Sequence, residues 1–413
     1  MKNLIGKDDF RFLETLTQLT VDACRVTSGV EIDIDKVGRR NILPFDVIRP
    51  GGRDCYPAIW VQDFTMIFAS KFVSHQNGLD HLKLILRCQN GPEPRPIKNQ
   101  AIIPPFAIPD HINFDGMPVF FPGTYSSSDD QGGEPYGLTP PFNNHYDVIW
   151  LTEMLVRYGD SSDLLSIDVK GMSVYDRLKQ AFDVPTAEPD TGIVYTTPER
   201  RAVGFIFCDS IYMTGHLLMA SLLRRRAAMH LAFLANQMGK DQDIQYYRRL
   251  ADLIAANIVP TFSDVPQYGR WLKASTGISC QPGVWGTVYG LYTGVIKGEM
   301  KNRSLQTIVE AIADGQIESE GAFRHVPVMY DFSEDSSWEK TPSAKNRYQN
   351  GAYWHMPAGW MVSVLENEYP EIARGIIDRY IRHMRENSFT KGVAFCAPWE
   401  CLGRQGQVSE LPS

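Results

Sequence analysis

The run Asp241-Gln242-Asp243-Ile244-Gln245-Tyr246-Tyr247-Arg248-Arg249-Leu250-Ala251-Asp252-Leu253-Ile254-Ala255-Ala256-Asn257-Ile258-Val259-Pro260 sets the architecture of the chain. Tyr247, Leu250, Ile254 and Ile258 recur at three- and four-residue spacing, which puts them on one face of a helix. Asp241 is placed to cap its start, and Pro260 to close it. The same period returns in Phe12, Leu16, Leu19 and Ala23, and in Val148, Leu151, Leu155 and Tyr158 before Gly159. Leu305, Ile308 and Ile312 precede Gly315, and Ile372, Ile376, Tyr380 and Met384 complete the series.

Long connections separate these helices: 49–60, 91–144 and 330–353. Loops of that length inside a compact domain are functional or carry short strands. The stretch 101–123, rich in Pro and with an Asp-Gly step, reads as turns and a small hairpin. Short strands are also expected at 203–207 and 392–396. The chain has room for about ten to twelve helices of ordinary length. An all-α fold follows, a closed (α/α)6 toroid that gathers alternate loops at one end. No fixed-period repeat supports a superhelical array. One catalytic domain is expected over residues 1–413.

Composition narrows the function. The net charge is −7, and Arg224-Arg225-Arg226 is the longest basic block. It lies in a helical stretch and reads as a solvated face, so nucleic acid is not an expected partner. Seven Cys, at 24, 55, 88, 208, 280, 396 and 401, form no CxxC pair, so free thiols are expected. The segment Met1 to Leu16 lacks the apolar core of a signal peptide, and no long apolar run spans a membrane. A cytoplasmic enzyme is expected, or a periplasmic one where a signal has been removed.

Four stretches carry chemistry. In 51–66, Gly51-Gly52 leads a turn toward Trp60 and Asp63 before a helix. Trp60 is read as a stacking platform for a sugar ring, with Arg53 and Asp63 gripping hydroxyls. In 207–216, Asp209 follows an apolar run, where a carboxyl acquires the raised pKa of a general acid. In 347–360, Gln349, Asn350, Trp354 and His355 join amides to aromatic planes, as a polar, flat-faced sugar requires. Near the end, Trp399-Glu400 places a carboxylate beside an aromatic. Trp285 adds a further wall, and His145 a polar contact. Asp110-His111 and His145 with Asp147 lack metal-ligand spacing, so hydrogen-bonding histidines rather than metal ligands are expected.

Glycoside hydrolysis needs one carboxyl to donate a proton and a second to activate water or to attack. Asp209 and Glu400 are the candidate pair. A separation of about 6.5–9.5 Å would mark inversion, and about 5–5.5 Å retention.

These residues resemble the six-hairpin, (α/α)6-toroid glycosidases, the group of glucosidase-, trehalase- and rhamnosidase-like enzymes. Tyr348-Gln349-Asn350-Gly351-Ala352-Tyr353-Trp354 is similar to their aromatic-Asn-Gly-x-x-Trp stretch, with Ala352 where a second Gly is common. Trp60-Val61-Gln62-Asp63 is similar to their early Trp-x-x-Asp turn. Asp209 leading a helix and Glu400 near the end parallel their order of acid first and base last. The resemblance implies an inverting, exo-acting attack on a terminal sugar of an oligosaccharide or glycan, without metal or organic cofactor. Two alternatives stand beside it. One is an epimerase, lyase or unsaturated-uronide hydrolase on the same fold, using His111, His145, His325 or His355. The other is a non-catalytic carbohydrate-binding protein.

Overall fold

The computed structural model describes residues 4–32, 39–53, 55–159, 162–263, 270–387, 389 and 397–403. Among them are eleven α-helices: α1 (Lys7–Cys24), α2 (Val61–Ala69), α3 (His75–Cys88), α4 (Asn143–Gly159), α5 (Val174–Phe182), α6 (Leu218–Gln237), α7 (Asp241–Phe262), α8 (Val284–Tyr292), α9 (Gly298–Ala313), α10 (Ala358–Leu365) and α11 (Pro370–Glu386). Each expected stripe falls in a helix. No described helix is long and apolar enough to cross a membrane.

Helix starts follow local chemistry. Ser74 and Ser173 cap α3 and α5 by accepting the backbone N–H of Asn77 and Asp176. Pro370 opens α11, where a missing N–H costs nothing. The α7 boundaries differ from the expectation. Asp241 is the first helical residue rather than the cap, and Ile244 N–H bonds the carbonyl of Lys240. The helix also continues past Pro260 to Phe262, because Ser263 N–H still reaches Val259 O at 3.1 Å. Proline removes its own N–H but leaves the bonds after it intact.

The strands are two or three residues long. His111–Asn113 and Pro118–Val119 form the expected hairpin, turning through Gly116 at φ +80°. Ala58–Trp60 adds an antiparallel third strand, with Trp60 opposite His111. Residues 203–207 are not a strand: the chain makes one bridge at Ala202, then a 3₁₀ turn at Ile206–Cys208. The strand expected at 392–396 lies outside the described residues.

The chain divides into two compact units, residues 17–209 with 223–254, and residues 1–16 with 210–222 and 255–413. In the first, α4 packs against α2, α3 and α5 and is buried along most of its length. Gly78 lets α3 approach closely, since a Cβ there would sit 2.5 Å from the Phe68 ring and 2.9 Å from Leu155. In the second, α10 packs on α8 and α11 around Val288, Tyr289, Met361, Leu365 and Ile376. There the connection 330–353 is ordered by side chains that bond its backbone.

Candidate active site

In the unit formed by 17–209 and 223–254, the short sheet delivers an aromatic wall and α2 and α4 deliver polar groups. Trp60 ends its strand and stacks on the His111 ring at 4.5 Å, as the register requires. Tyr56 and Tyr125 meet Trp60 edge-on at 5.0 and 5.9 Å. All three of these rings keep part of their surface accessible, whereas His111 beneath them is fully buried.

Beside this wall lies a network of buried amides and carboxylates. Asp110 Oδ2 binds His111 Nδ1 at 2.8 Å, and Asp110 Oδ1 accepts from Asn144 Nδ2 at 3.2 Å. Asn143 Nδ2 reaches Gln62 Oε1 at 2.7 Å and Asp147 Oδ2 at 3.1 Å. Arg226 from α6 donates to Asp147 Oδ1 at 3.0 Å and lies over the Trp150 ring. Burial raises the Asp147 pKa, and Arg226 opposes that rise.

Asp63, in the first turn of α2, is crowded by protein yet keeps some solvent contact. Burial, and then the charges of Asp110, Asp147 and Asp209, push its pKa up to about 7. A carboxyl that retains its proton near neutrality is a feature of acid–base sites. Asp209 is mostly buried, at the end of the 3₁₀ turn, with its N–H on Ile206 O. It therefore does not lead α6, which begins at Leu218. Asp209 also raises the pKa of the Tyr136 hydroxyl, after burial. Among the described residues, no group of three or more His, Cys, Asp and Glu is arranged to hold a metal.

The titration of Asp63 gives a stability prediction. Its folded pKa of about 7 exceeds the unfolded value of about 3.9, so the folded state binds more protons between them. Stability should fall as pH rises through that window. Asp63→Asn removes the penalty, so the variant should be more stable than wild type at pH 8 by about 2 kcal/mol after solvent screening. Near pH 4 the two should be alike. Urea unfolding at both pH values checks this, and parallel pH profiles would refute it.

The other expected residues fall in different settings. Arg53 sits on the exposed turn ahead of the wall. His145 is fully buried: Ile108 N–H donates to its Nε2 at 3.1 Å, and Nδ1 faces the carbonyls of Pro141 and Phe142. It ties loop to helix, and burial pulls its pKa down to about 4.

In the other unit, the amides of 347–360 order the backbone. Gln349 Oε1 accepts from Ser210 N and Oγ, both at 2.8 Å, and so holds the covalent neighbour of Asp209. Asn350 Oδ1 accepts from Ser337 N at 2.7 Å, and its Nδ2 donates to Ser343 O at 2.7 Å. Trp354 is buried and donates to Tyr348 O; Trp285 is buried and stacks on His325 at 3.7 Å. His355 packs near Tyr380 and His383, with its pKa pulled down to about 4, first by burial. Trp399 packs on Phe389 at 6.0 Å. Glu400 is half-buried, two residues before Leu402, which exchanges backbone bonds with Tyr353.

Asp110, Asn143, Asn144 and Asp147 are thus more central to the polar network than their sequence context suggested. Asn143 and Asp147 are four apart on α4, so their helical spacing was a usable signal. The contact of Asn144 with Asp110 spans 34 residues and had none.

No protein-family model matches the chain, and no curated protein matches it. Three solved structures are similar to it. A rhamnosidase from Klebsiella oxytoca with rhamnose bound aligns at TM-score 0.50 and 10% identity, over 98% of this chain and 61% of that one. A GH78 family rhamnosidase of Bacillus sp. GL1 aligns at 0.51 and 11% identity, over 98% of this chain and 33% of that one. A GH63 mannosylglycerate hydrolase from Thermus thermophilus, in complex with glucose, aligns at 0.51 and 12% identity, over 88% and 92%. The chain spans less than two thirds of either rhamnosidase. At such identities the likeness is one of fold, and it agrees with the glycosidase resemblance of the motifs. The helix-rich fold of this chain is one that these glycoside hydrolases share.

Proposed function

We propose that the chain is a glycoside hydrolase, inverting and exo-acting, built as one (α/α)6 catalytic domain. The observation that carries this reading is the part-accessible aromatic wall of Tyr56, Trp60 and Tyr125, which leads into α2, where the first turn holds Asp63, a carboxyl with its pKa pushed up to about 7. Aromatic faces bind the C–H faces of a sugar, while carboxyls bind its hydroxyls and move protons. The shared fold with three glycoside hydrolases supports it.

Asp209 is the proposed acid, protonating the glycosidic oxygen as the bond breaks. Glu400 is the proposed base, drawing a proton from the water that attacks the opposite face. Asp63 grips a hydroxyl, donating or accepting according to its protonation. Arg53, Trp285, Trp354, His355 and Trp399 are proposed contacts or supports. Gln349, Asn350 and His145 act by fixing backbone.

The test is turnover of a panel of aryl glycosides that includes rhamnosides, together with mannosylglycerate, followed by proton NMR. Hydrolysis should release the inverted anomer first, and Glu400→Gln should slow it by about 10²-fold or more. Failure to hydrolyse any member, or release of the retained anomer, would count against the respective part of the reading.

A further inference from the structure

The register of the short sheet decides which side chains share a face. His111 stands opposite Trp60 and Asn113 opposite Ala58, so all four point to the same side. Two polar groups on that face are buried and lack partners. His111 and Asn113 are 0% and 2% exposed, and neither His111 Nε2 nor Asn113 Oδ1 has a hydrogen-bond partner among the described residues. Asn113 Nδ2 donates to Tyr125 O at 2.8 Å, which leaves Oδ1 as an acceptor.

The state of His111 Nε2 follows from the chain of bonds behind it. Asn143 Nδ2 donates to Asp147 Oδ2 and to Asn144 Oδ1, both at 3.1 Å, and Asn144 Nδ2 donates to Asp110 Oδ1 at 3.2 Å. The carboxylates at both ends decide which way the two amides face. The second Asp110 oxygen, Oδ2, lies 2.8 Å from His111 Nδ1 and accepts from it. The ring proton is thereby held on Nδ1, and Nε2 presents a lone pair. An imidazole set this way takes a donor and refuses an acceptor. The same ring lies 4.5 Å beneath Trp60, with Tyr125 edge-on at 5.8 Å. This buried acceptor therefore adjoins the part-accessible rings of the wall.

We propose that His111 is a specificity-determining residue of the aromatic wall, its Nε2 accepting the O–H of one hydroxyl of the sugar seated there. Asp110 is the positioning residue that holds the acceptor tautomer. The proposal rests on the carbohydrate reading of the site and not on hydrolysis. A sugar lacking that hydroxyl leaves the nitrogen unpaired, and one with fluorine in its place sets two acceptors against each other. Bulk water does not reach the buried ring, so the contact discriminates more than an exposed one.

The experiment uses the full chain and the methyl glycosides of rhamnose, glucose and mannose, with the monodeoxy and monofluoro analogues of whichever binds. Calorimetry should find one position at which loss of the hydroxyl weakens binding about tenfold. His111→Phe keeps a ring beneath Trp60 and removes the nitrogen. It should weaken the parent sugar about tenfold and leave that deoxy analogue within about twofold. Asp110→Asn keeps an acceptor for Asn144 but offers His111 Nδ1 a donor, which moves the ring proton to Nε2. The fluoro analogue should then bind about fivefold tighter than it does to wild type. Nitrogen-15 NMR of the imidazole reads the tautomer in the wild-type protein, and so stands even where a variant fails to fold. The Nε2 resonance should shift on adding the parent sugar and stay still with the deoxy analogue. Equal losses for parent and deoxy sugar on His111→Phe would overturn the contact. An Nε2 resonance that no bound sugar moves would overturn it too, and assign the nitrogen to a resident water. Binding of none of the three glycosides would remove the carbohydrate reading, and the contact with it. Hydroxyl-dependent binding without turnover would support the contact and remove hydrolysis alone.

Discussion

Asp209→Asn should lower turnover of a glycoside with an unactivated alcohol leaving group on the order of 10³-fold, yet leave most of the rate on the matching glycosyl fluoride. The contrast follows from the role assigned to Asp209. An alkoxide leaves poorly unless protonated in flight, and an amide cannot supply that proton. Fluoride leaves without it. Asp63→Asn should behave differently, raising KM on both substrates, because a hydroxyl grip acts on ground state and transition state alike. If Asp209→Asn loses the fluoride reaction as well, Asp209 is a binding group. The acid would then be sought at Asp63, whose pKa of about 7 already suits the task.

Arg226→Met should cost about 3–5 kcal/mol of stability, read as a lower urea midpoint at unchanged slope. Asp147 is nearly inaccessible and accepts from Arg226 and Asn143. Removing the cation leaves a buried carboxylate with an amide partner only. The loss should shrink as pH falls, because burial already raises the Asp147 pKa and protonation would relieve it. The double variant Arg226→Met with Asp147→Asn should recover most of the stability, since both charges are then gone and Asn143 keeps an acceptor. A single variant within about 1 kcal/mol of wild type would show that the pair is not buried in the energetic sense.

The helices were legible because their signal is local. Leu250, Ile254 and Ile258 sit on one face whatever else the chain does. The ends were less so: Pro260 looked terminal, but its effect depends on which bonds follow it. The site was partly legible. Trp60 and Asp63 belong to one strand–helix junction, the strand ending at Trp60 and the first helical turn holding Asp63, as the sequence suggested. Gln349 and Asn350 were legible as amides but not as backbone supports, because the residues they hold, Ser210, Ser337 and Ser343, are distant in sequence. The bond that joins Asn144 to Asp110 was hidden for the same reason.

The pairing of Trp60 with His111 also constrains how such a wall can change through evolution or design. Ile59 and Ile112 occupy the opposite face of the same ribbon and are buried. Inserting one residue into either strand would exchange the faces, sending the indole inward and an isoleucine to the part-accessible side. Substitution can therefore alter the surface of this wall by degrees, but single-residue insertions there exchange its faces at once. Length variation is tolerable at the tip, around Asp115 and Gly116, where the register is already complete.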